Sequence, residues 1–212
     1  MGLLLWILLD NSIADQNYLN NDSYRERTAV YKNYRDEKNI VMLGDSLTYR
    51  TNWAMVLNQA SVSNMGIDND ITEWYVNRLN YVINLKPRIC FIEGGINDLK
   101  KGISDEKIIN NLKKITLFLK ENNITPVLTS VLFVGQEHAN AKKINESVNR
   151  LNTKIKKISI EENVHLIDLN PTLAMNGFLS SEYGLSDGIH LNEKAYTIWG
   201  REIIKILKYS KK

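Results

Sequence analysis

Asn39-Ile40-Val41-Met42-Leu43-Gly44-Asp45-Ser46-Leu47-Thr48 is the stretch that decides the fold of this chain. Ile40 to Leu43 are apolar at every position, with no alternation, and the run is too short for a buried helix. That combination suits a strand covered on both faces, as in a parallel sheet. Glycine ends it, and two small polar residues follow, so Ser46 is expected in a tight turn between a strand and a helix.

Working outward, the same rhythm recurs. Short apolar runs predict further strands at Ser61 to Asn64, Arg88 to Glu93, Pro126 to Leu132 and Val164 to Asp168, after a first strand from Asn39 to Leu43. Between them lie stretches of helical periodicity at 52 to 59, 71 to 84, 104 to 122, 140 to 161 and 192 to 208. In the third, Ile108, Ile109, Leu112, Ile115 and Leu119 fall on one face, with Lys113, Lys114 and Lys120 on the other. Asp105 and Glu106 occupy its first turn, where the helix dipole favours acids. Strands alternating with such helices predict an α/β fold: a five-stranded parallel sheet with helices on both faces. Chemistry then belongs at the carboxyl ends of the strands.

Composition narrows the classes. A chain of 212 residues holds one domain and a short appendage, read here as an N-terminal extension over 1 to 38 and a domain over 39 to 212. With 43% apolar and 24% charged residues, it lies far from disordered, collagenous or coiled-coil sequences. The net charge of +3 comes from lysines interleaved with acids rather than a dense basic stripe with aromatic platforms, so no nucleic-acid partner is expected. The single cysteine, Cys90, rules out an intrachain disulfide and lies in an apolar run, where a core role is the ordinary one.

The run Met1 to Leu9 is shorter than the roughly 20 residues a membrane span needs. It reads either as the remnant of an export signal or anchor, which places the chain outside the cytoplasm or on a membrane, or as a packing helix in a cytoplasmic protein. Residues 11 to 38 are polar, with one helix expected near Tyr24 to Tyr34 and no visible chemistry.

The strand ends carry the candidates. Ser46 follows the first strand; alone, it is as well explained as a helix cap. Asn64-Met65-Gly66-Ile67 follows the second, where Gly66 either brings its N–H close to a reacting carbonyl or is a turn glycine. Glu93-Gly94-Gly95-Ile96-Asn97-Asp98 follows the third and offers the Asn97 amide as a donor. Before the last helix, Ser186-Asp187-Gly188-Ile189-His190 places an acid three residues ahead of an imidazole. A serine hydroxyl is a poor nucleophile near neutral pH, so a histidine must take its proton and an acid must orient that histidine. His138 and His165 have no comparable local partner. Gly-x-x-x-x-Gly-Lys-Ser/Thr, Gly-x-Gly-x-x-Gly and His-Glu-x-x-His are absent from the sequence, and no cofactor or metal is implied.

Together, Gly44-Asp45-Ser46-Leu47, Gly66, Gly95-Ile96-Asn97-Asp98 and Asp187-Gly188-Ile189-His190 resemble, in order, the four signature blocks of the SGNH (GDSL-type) hydrolases. The resemblance spans roughly residues 39 to 200. It implies a flavodoxin-like three-layer α/β/α sandwich. It also implies Ser46 as nucleophile, Asp187 and His190 as the rest of the triad, and an oxyanion hole from the Ser46 N–H, the Gly66 N–H and the Asn97 side chain. Asp45 and Asp98 would then support their loops.

The implied activity is ester hydrolysis through an acyl-enzyme. A short, acetyl-type acyl group is favoured, with carbohydrate O-deacetylation, lysophospholipid hydrolysis and thioester cleavage all within the family's range. A non-catalytic binding domain on the same fold is the rival from another class. Asp68-Asn69-Asp70 crowds acids beside the second block, a departure that bears on substrate preference. It superficially copies the paired aspartates of haloacid-dehalogenase-type phosphatases, but the strand before it is too short and polar. The residues that bind substrate are not marked, and neither is the oligomeric state. Membrane contact is expected only if the N-terminal run belongs to an anchor.

Overall fold

The computed structural model describes residue 18 and residues 20–209; the apolar run Met1 to Leu9 lies outside them. In chain order the elements are α1 (Asp22–Asn33), β1 (Ile40–Gly44), α2 (Ser46–Tyr49), α3 (Trp53–Leu57), β2 (Val62–Gly66), α4 (Thr72–Asn77), α5 (Leu79–Ile83), β3 (Ile89–Ile92) and α6 (Ile96–Lys100). There follow α7 (Asp105–Glu121), β4 (Thr125–Thr129), α8 (Ala141–Glu161), β5 (His165–Ile167), α9 (Asn170–Leu173), β6 (Ala174–Met175), β7 (Phe178–Leu179) and α10 (Glu193–Tyr209).

β1 to β5 form one parallel sheet in the order β2-β1-β3-β4-β5. Successive side chains of a strand point to opposite faces, and the core divides accordingly. Val41, Leu43, Cys90, Ile92 and Leu128 pack with buried residues of α1, α4, α7 and α8, while Ile40, Met42, Ile89, Phe91 and Val127 pack with α3 and α10. The result is the expected three-layer α/β/α sandwich. Its strand order reverses between β1 and β3, and a crevice opens at such a point, outside the carboxyl ends of the strands.

Several boundaries differ from expectation for physical reasons. The helix expected over 71 to 84 is two, broken at Arg78 (φ −116°, ψ 12°), whose guanidinium is drawn fully into the interior. The second strand runs on to Gly66 because Asn64 and Gly66 continue the pairing with Met42 and Gly44. Trp53 and Trp74 are both buried, and Trp53 meets Trp199 edge to face at 4.9 Å. α1 packs through Tyr24 and Tyr31, 5% and 6% exposed. Among the described residues no helix is long and apolar enough to cross a membrane.

Candidate active site

The sequence places Asp45 where β1 ends, and the chain turns there because its carboxylate caps the next helix: Asp45 Oδ1 accepts from the Leu47 N–H at 2.9 Å. Ser46 is therefore the first residue of α2, 8% exposed, and its own N–H has no protein partner among the described residues. Tyr196, on α10, donates its hydroxyl to the Leu47 carbonyl at 2.8 Å and fixes the turn from the other face of the sheet.

The loop before α10 brings the imidazole over this turn. Leu185 N–H donates to the His190 carbonyl at 2.7 Å, and Gly188 takes the left-handed φ of 68° that closes the loop. Asp187 Oδ1 accepts from the N–H groups of Ile189 and His190, both at 2.9 Å. Its Oδ2 lies 2.5 Å from His190 Nδ1, and His190 Nε2 lies 3.0 Å from Ser46 Oγ. Partial desolvation works against ionisation of Asp187, but the His190 side chain and the backbone donors outweigh it and hold the carboxyl well below its usual range. An ionised Asp187 keeps the proton on Nδ1, which leaves the Nε2 lone pair for the Ser46 hydroxyl. Ser46, Asp187 and His190, far apart in sequence, are thus joined in one hydrogen-bonded series. His138 Nδ1 lies 2.8 Å from the Ala139 carbonyl, and His165 is exposed; neither joins it.

Asn97, on the first turn of α6, lies on the same crevice. Its Nδ2 donates to Asp45 Oδ2 at 3.2 Å and to the Asp70 carbonyl at 3.1 Å. Both bonds are long, and a developing oxyanion is a stronger acceptor than either partner.

Gly66 departs from the expected arrangement. Its N–H donates to Asn64 Oδ1 at 2.9 Å, and it is the edge-strand residue against which α2 packs, since a Cβ there would lie 2.3 Å from the Tyr49 nitrogen. Its bareness serves that close approach; in this geometry its N–H is not free for a carbonyl. In the next turn Asn69 takes a left-handed φ of 59°.

Beneath the crevice lies a group of acids: Glu93, to which the sequence reading gave no role, Asp45 and Asp98, read as loop supports, and Asp70, read as bearing on substrate preference but fully buried. Glu93 Oε2 accepts from Thr48 Oγ1 at 3.1 Å, and the carboxyl sits against Asp45. Burial pushes Glu93 up to about 7; burial and the neighbouring Glu93 push Asp45 well above the carboxylate range. Two carboxyls so placed share a proton. Asp98 accepts from the Thr72 N–H and hydroxyl, tying α6 to the start of α4, and burial pushes it up to about 6. Asp70 pairs with Arg78, the two side chains fully buried with Nη2 to Oδ2 at 2.8 Å, yet burial still pushes Asp70 up to about 7. Arg78 also donates to the Met65 and Gly44 carbonyls at 2.7 and 3.0 Å, closing the ends of β2 and β1. The signal for Glu93 was available: an acid at the end of a continuous apolar run must lie at the sheet's carboxyl edge.

A cavity of about 490 Å3 opens at the carboxyl end of α2, lined by polar groups of Tyr49, Arg50, Thr51, Asn52 and Asn64 beside Trp53, Ala54 and Val62. Among the described residues no cluster of three or more His, Cys, Asp or Glu could hold a metal ion.

The parallel α/β sandwich thus brings a serine, a histidine and an acid together where the strand order reverses. The profile of the GDSL-like Lipase/Acylhydrolase family matches residues 42–198, and this chain belongs to that family. Solved structures agree in fold: a GDSL-like lipase from Bacteroides thetaiotaomicron has a TM-score of 0.74 at 20% identity, over 92% of this chain and 98% of that one. An acetylxylan esterase from Geobacillus stearothermophilus has a TM-score of 0.66 at 17% identity, over 81% and 95%. Among curated proteins, the N-acylneuraminate cytidylyltransferase of Streptococcus agalactiae serotype V is 32% identical over 108 residues, which cover 50% of this chain and only 25% of that enzyme.

Proposed function

We propose that this chain is a serine esterase that hydrolyses a short-chain, acetyl-type carboxylic ester through an acyl-enzyme on Ser46, and that the alcohol is a carbohydrate. The observation that carries the mechanism is the continuous series from Asp187 through His190 to Ser46, at 2.5 and 3.0 Å. Ser46 Oγ attacks the ester carbonyl as His190 Nε2 takes its proton. Asp187 steadies the imidazolium, and the Ser46 N–H and the Asn97 amide meet the charge that develops on the carbonyl oxygen. Collapse of the tetrahedral adduct expels the alcohol, which takes the proton back from His190. Water then attacks the acyl-enzyme by the same route, releases the acid and restores Ser46.

The carbohydrate side rests on different support. Of the side chains around the cavity beside α2, Tyr49, Arg50 and Thr51 offer groups that hydrogen-bond a polyol, while the Asn64 amide is committed to the carbonyls of Thr48, Tyr49 and Thr51, and Trp53, Ala54 and Val62 form an apolar wall. An acetylxylan esterase shares the fold, and a curated relative is named for an N-acylneuraminate. Acetylated xylooligosaccharides and O-acetylated N-acylneuraminate are therefore the natural substrates to try beside a p-nitrophenyl ester series from acetate to decanoate.

Ser46→Ala, folded as judged by its thermal midpoint, is expected to lose about 10^4-fold or more in turnover. Rates falling with acyl length support the short-chain reading, whereas rates rising with it favour a lysophospholipase. If no ester is cleaved, or Ser46→Ala matches the unmodified chain, the esterase reading fails and a ligand-binding domain takes its place.

A further inference from the structure

α2 is the least self-sufficient element of the site. It is a single turn of four residues, Ser46–Tyr49, and so short a helix has no cooperative stability, because nucleation costs more than its few hydrogen bonds return. The 3.0 Å spacing between Ser46 Oγ and His190 Nε2 must therefore be imposed by neighbours.

At the carboxyl end of α2 those neighbours are Trp53, whose Nε1 donates to the Thr48 carbonyl at 2.8 Å, and Asn64. The Asn64 Nδ2 lies 3.1 Å from the carbonyls of Thr48 and Tyr49 and 3.0 Å from that of Thr51, while its Oδ1 accepts from the Gly66 N–H. One amide thus binds the orphan carbonyls of the helix end to the edge strand.

Asn64 is held in turn from outside the sheet. Arg27, on α1, donates from Nη2 to the Asn64 carbonyl at 2.9 Å and from Nε to the Tyr31 hydroxyl at 3.0 Å. Its guanidinium carbon lies 4.8 Å from the centre of the Tyr49 ring and 5.3 Å from that of Tyr31, within cation–π range. Asn21, the cap of α1, donates to the Asp68 carbonyl at 3.2 Å. A helix that precedes the family's matched residues 42–198 thus reaches the turn after β1 and the turn after β2 together.

We propose that α1 is a positioning element of the site: Arg27, acting through Asn64 and the Tyr49 ring, fixes the turn that carries Ser46. The catalytic consequence rests on Ser46 being the nucleophile. A helix that only covered the sheet edge would affect global stability and leave the turnover of folded protein alone. A helix that positions the turn affects turnover, since displacing a reacting group by about 1 Å costs on the order of 10^2-fold.

The test compares Arg27→Gln, Arg27→Lys and Asn64→Asp with the unmodified chain. It measures kcat and KM on p-nitrophenyl acetate, the thermal midpoint, and amide hydrogen exchange at residues 47–50 against exchange in β3 and α7. Asn64→Asp keeps the acceptor for the Gly66 N–H but turns a carboxylate toward three carbonyls. We expect kcat to fall about 10-fold in Arg27→Gln and up to about 10^2-fold in Asn64→Asp, with KM nearly unchanged. Exchange should quicken at 47–50 alone, and Arg27→Lys should recover part of both effects. Should Asn64→Asp not fold, the two Arg27 variants decide.

Unchanged kcat, or exchange rising equally in β3 and α7, overturns the proposal. If the unmodified chain cleaves no ester, the nucleophile reading fails separately, and exchange alone decides whether α1 fixes the turn: local quickening at 47–50 supports it and uniform exchange overturns it.

Discussion

Two populations of carboxyl groups surround the crevice, and their chemistry runs in opposite directions. Asp45, Asp70, Glu93 and Asp98 lie beneath it, at most 3% exposed, and all are pushed upward. Asp187 stands at the rim with its side chain 48% exposed and is held downward. The difference lies in the balance of water and donors. Asp187 keeps solvent and gains two backbone N–H groups and an imidazole, whereas the buried four surrender water and only Asp70 among them meets a guanidinium, that of Arg78. The charged form is thus favoured at the rim, where water and donors remain, and disfavoured inside, where burial removes them.

The comparison breaks most sharply at Asp187. Asp187→Asn would present an amide to Nδ1 and favour the wrong tautomer, and kcat is expected to fall about 10^4-fold with the fold intact. Next comes the ion pair: Arg78→Leu leaves Asp70 buried without its partner, which should cost about 3–5 kcal/mol in urea unfolding. Without Arg78 the buried carboxyl takes up its proton at a higher pH than the value of about 7 it has beside the guanidinium, so the loss should shrink as pH falls toward 7 and be smallest below it, and Arg78→Leu combined with Asp70→Leu should recover much of it. Asn97→Ala removes the amide that meets the carbonyl oxygen in the proposed mechanism; turnover is expected to fall about 10^2- to 10^3-fold, read as kcat with p-nitrophenyl acetate.

The smallest effect is on pH. Glu93 ionises near 4.5 in the unfolded chain and near 7 in the folded one, so between those values the folded state holds more protons. Its contribution is complete below 4.5 and is lost as pH rises through 7, so the thermal midpoint should decline across that window. Glu93→Gln should flatten the decline, with its relative gain above pH 7. Asp187 has the opposite sign: its contribution is present above the ordinary value of 3.8 and fades as pH falls through its lowered one.

Much of the fold was legible because its strands are continuous apolar runs, and Ile40 to Leu43 and Ile89 to Ile92 admit little else. The convergence of Ser46, Asp187 and His190 was legible because the stretches that hold them resemble a family's signature blocks in order and lie where a strand ends or a helix begins. Other features were hidden in long-range contacts. Nothing local to Arg78 announces that its side chain will reach Met65 and Gly44 and split a helix. Gly66 looked like a turn glycine, or one that bares its N–H, because the sequence does not show Tyr49 lying against it. In α1 the apolar signal is only Tyr24 and Tyr31, two turns apart in a polar stretch, with Arg27 between them on the same face.

β2 is one margin of the sheet, and a bare margin is a template onto which another chain can add a strand. Here three outward groups at its carboxyl end are already engaged: the Asn64 carbonyl by Arg27, the Gly66 carbonyl by Tyr31 at 3.4 Å, and the Gly66 N–H by the strand's own asparagine. At the opposite margin, β5 is only three residues long. A chain trimmed to begin at β1 would lose the first two of those covers, and its failure would show as self-association, strand to strand, before it showed as unfolding.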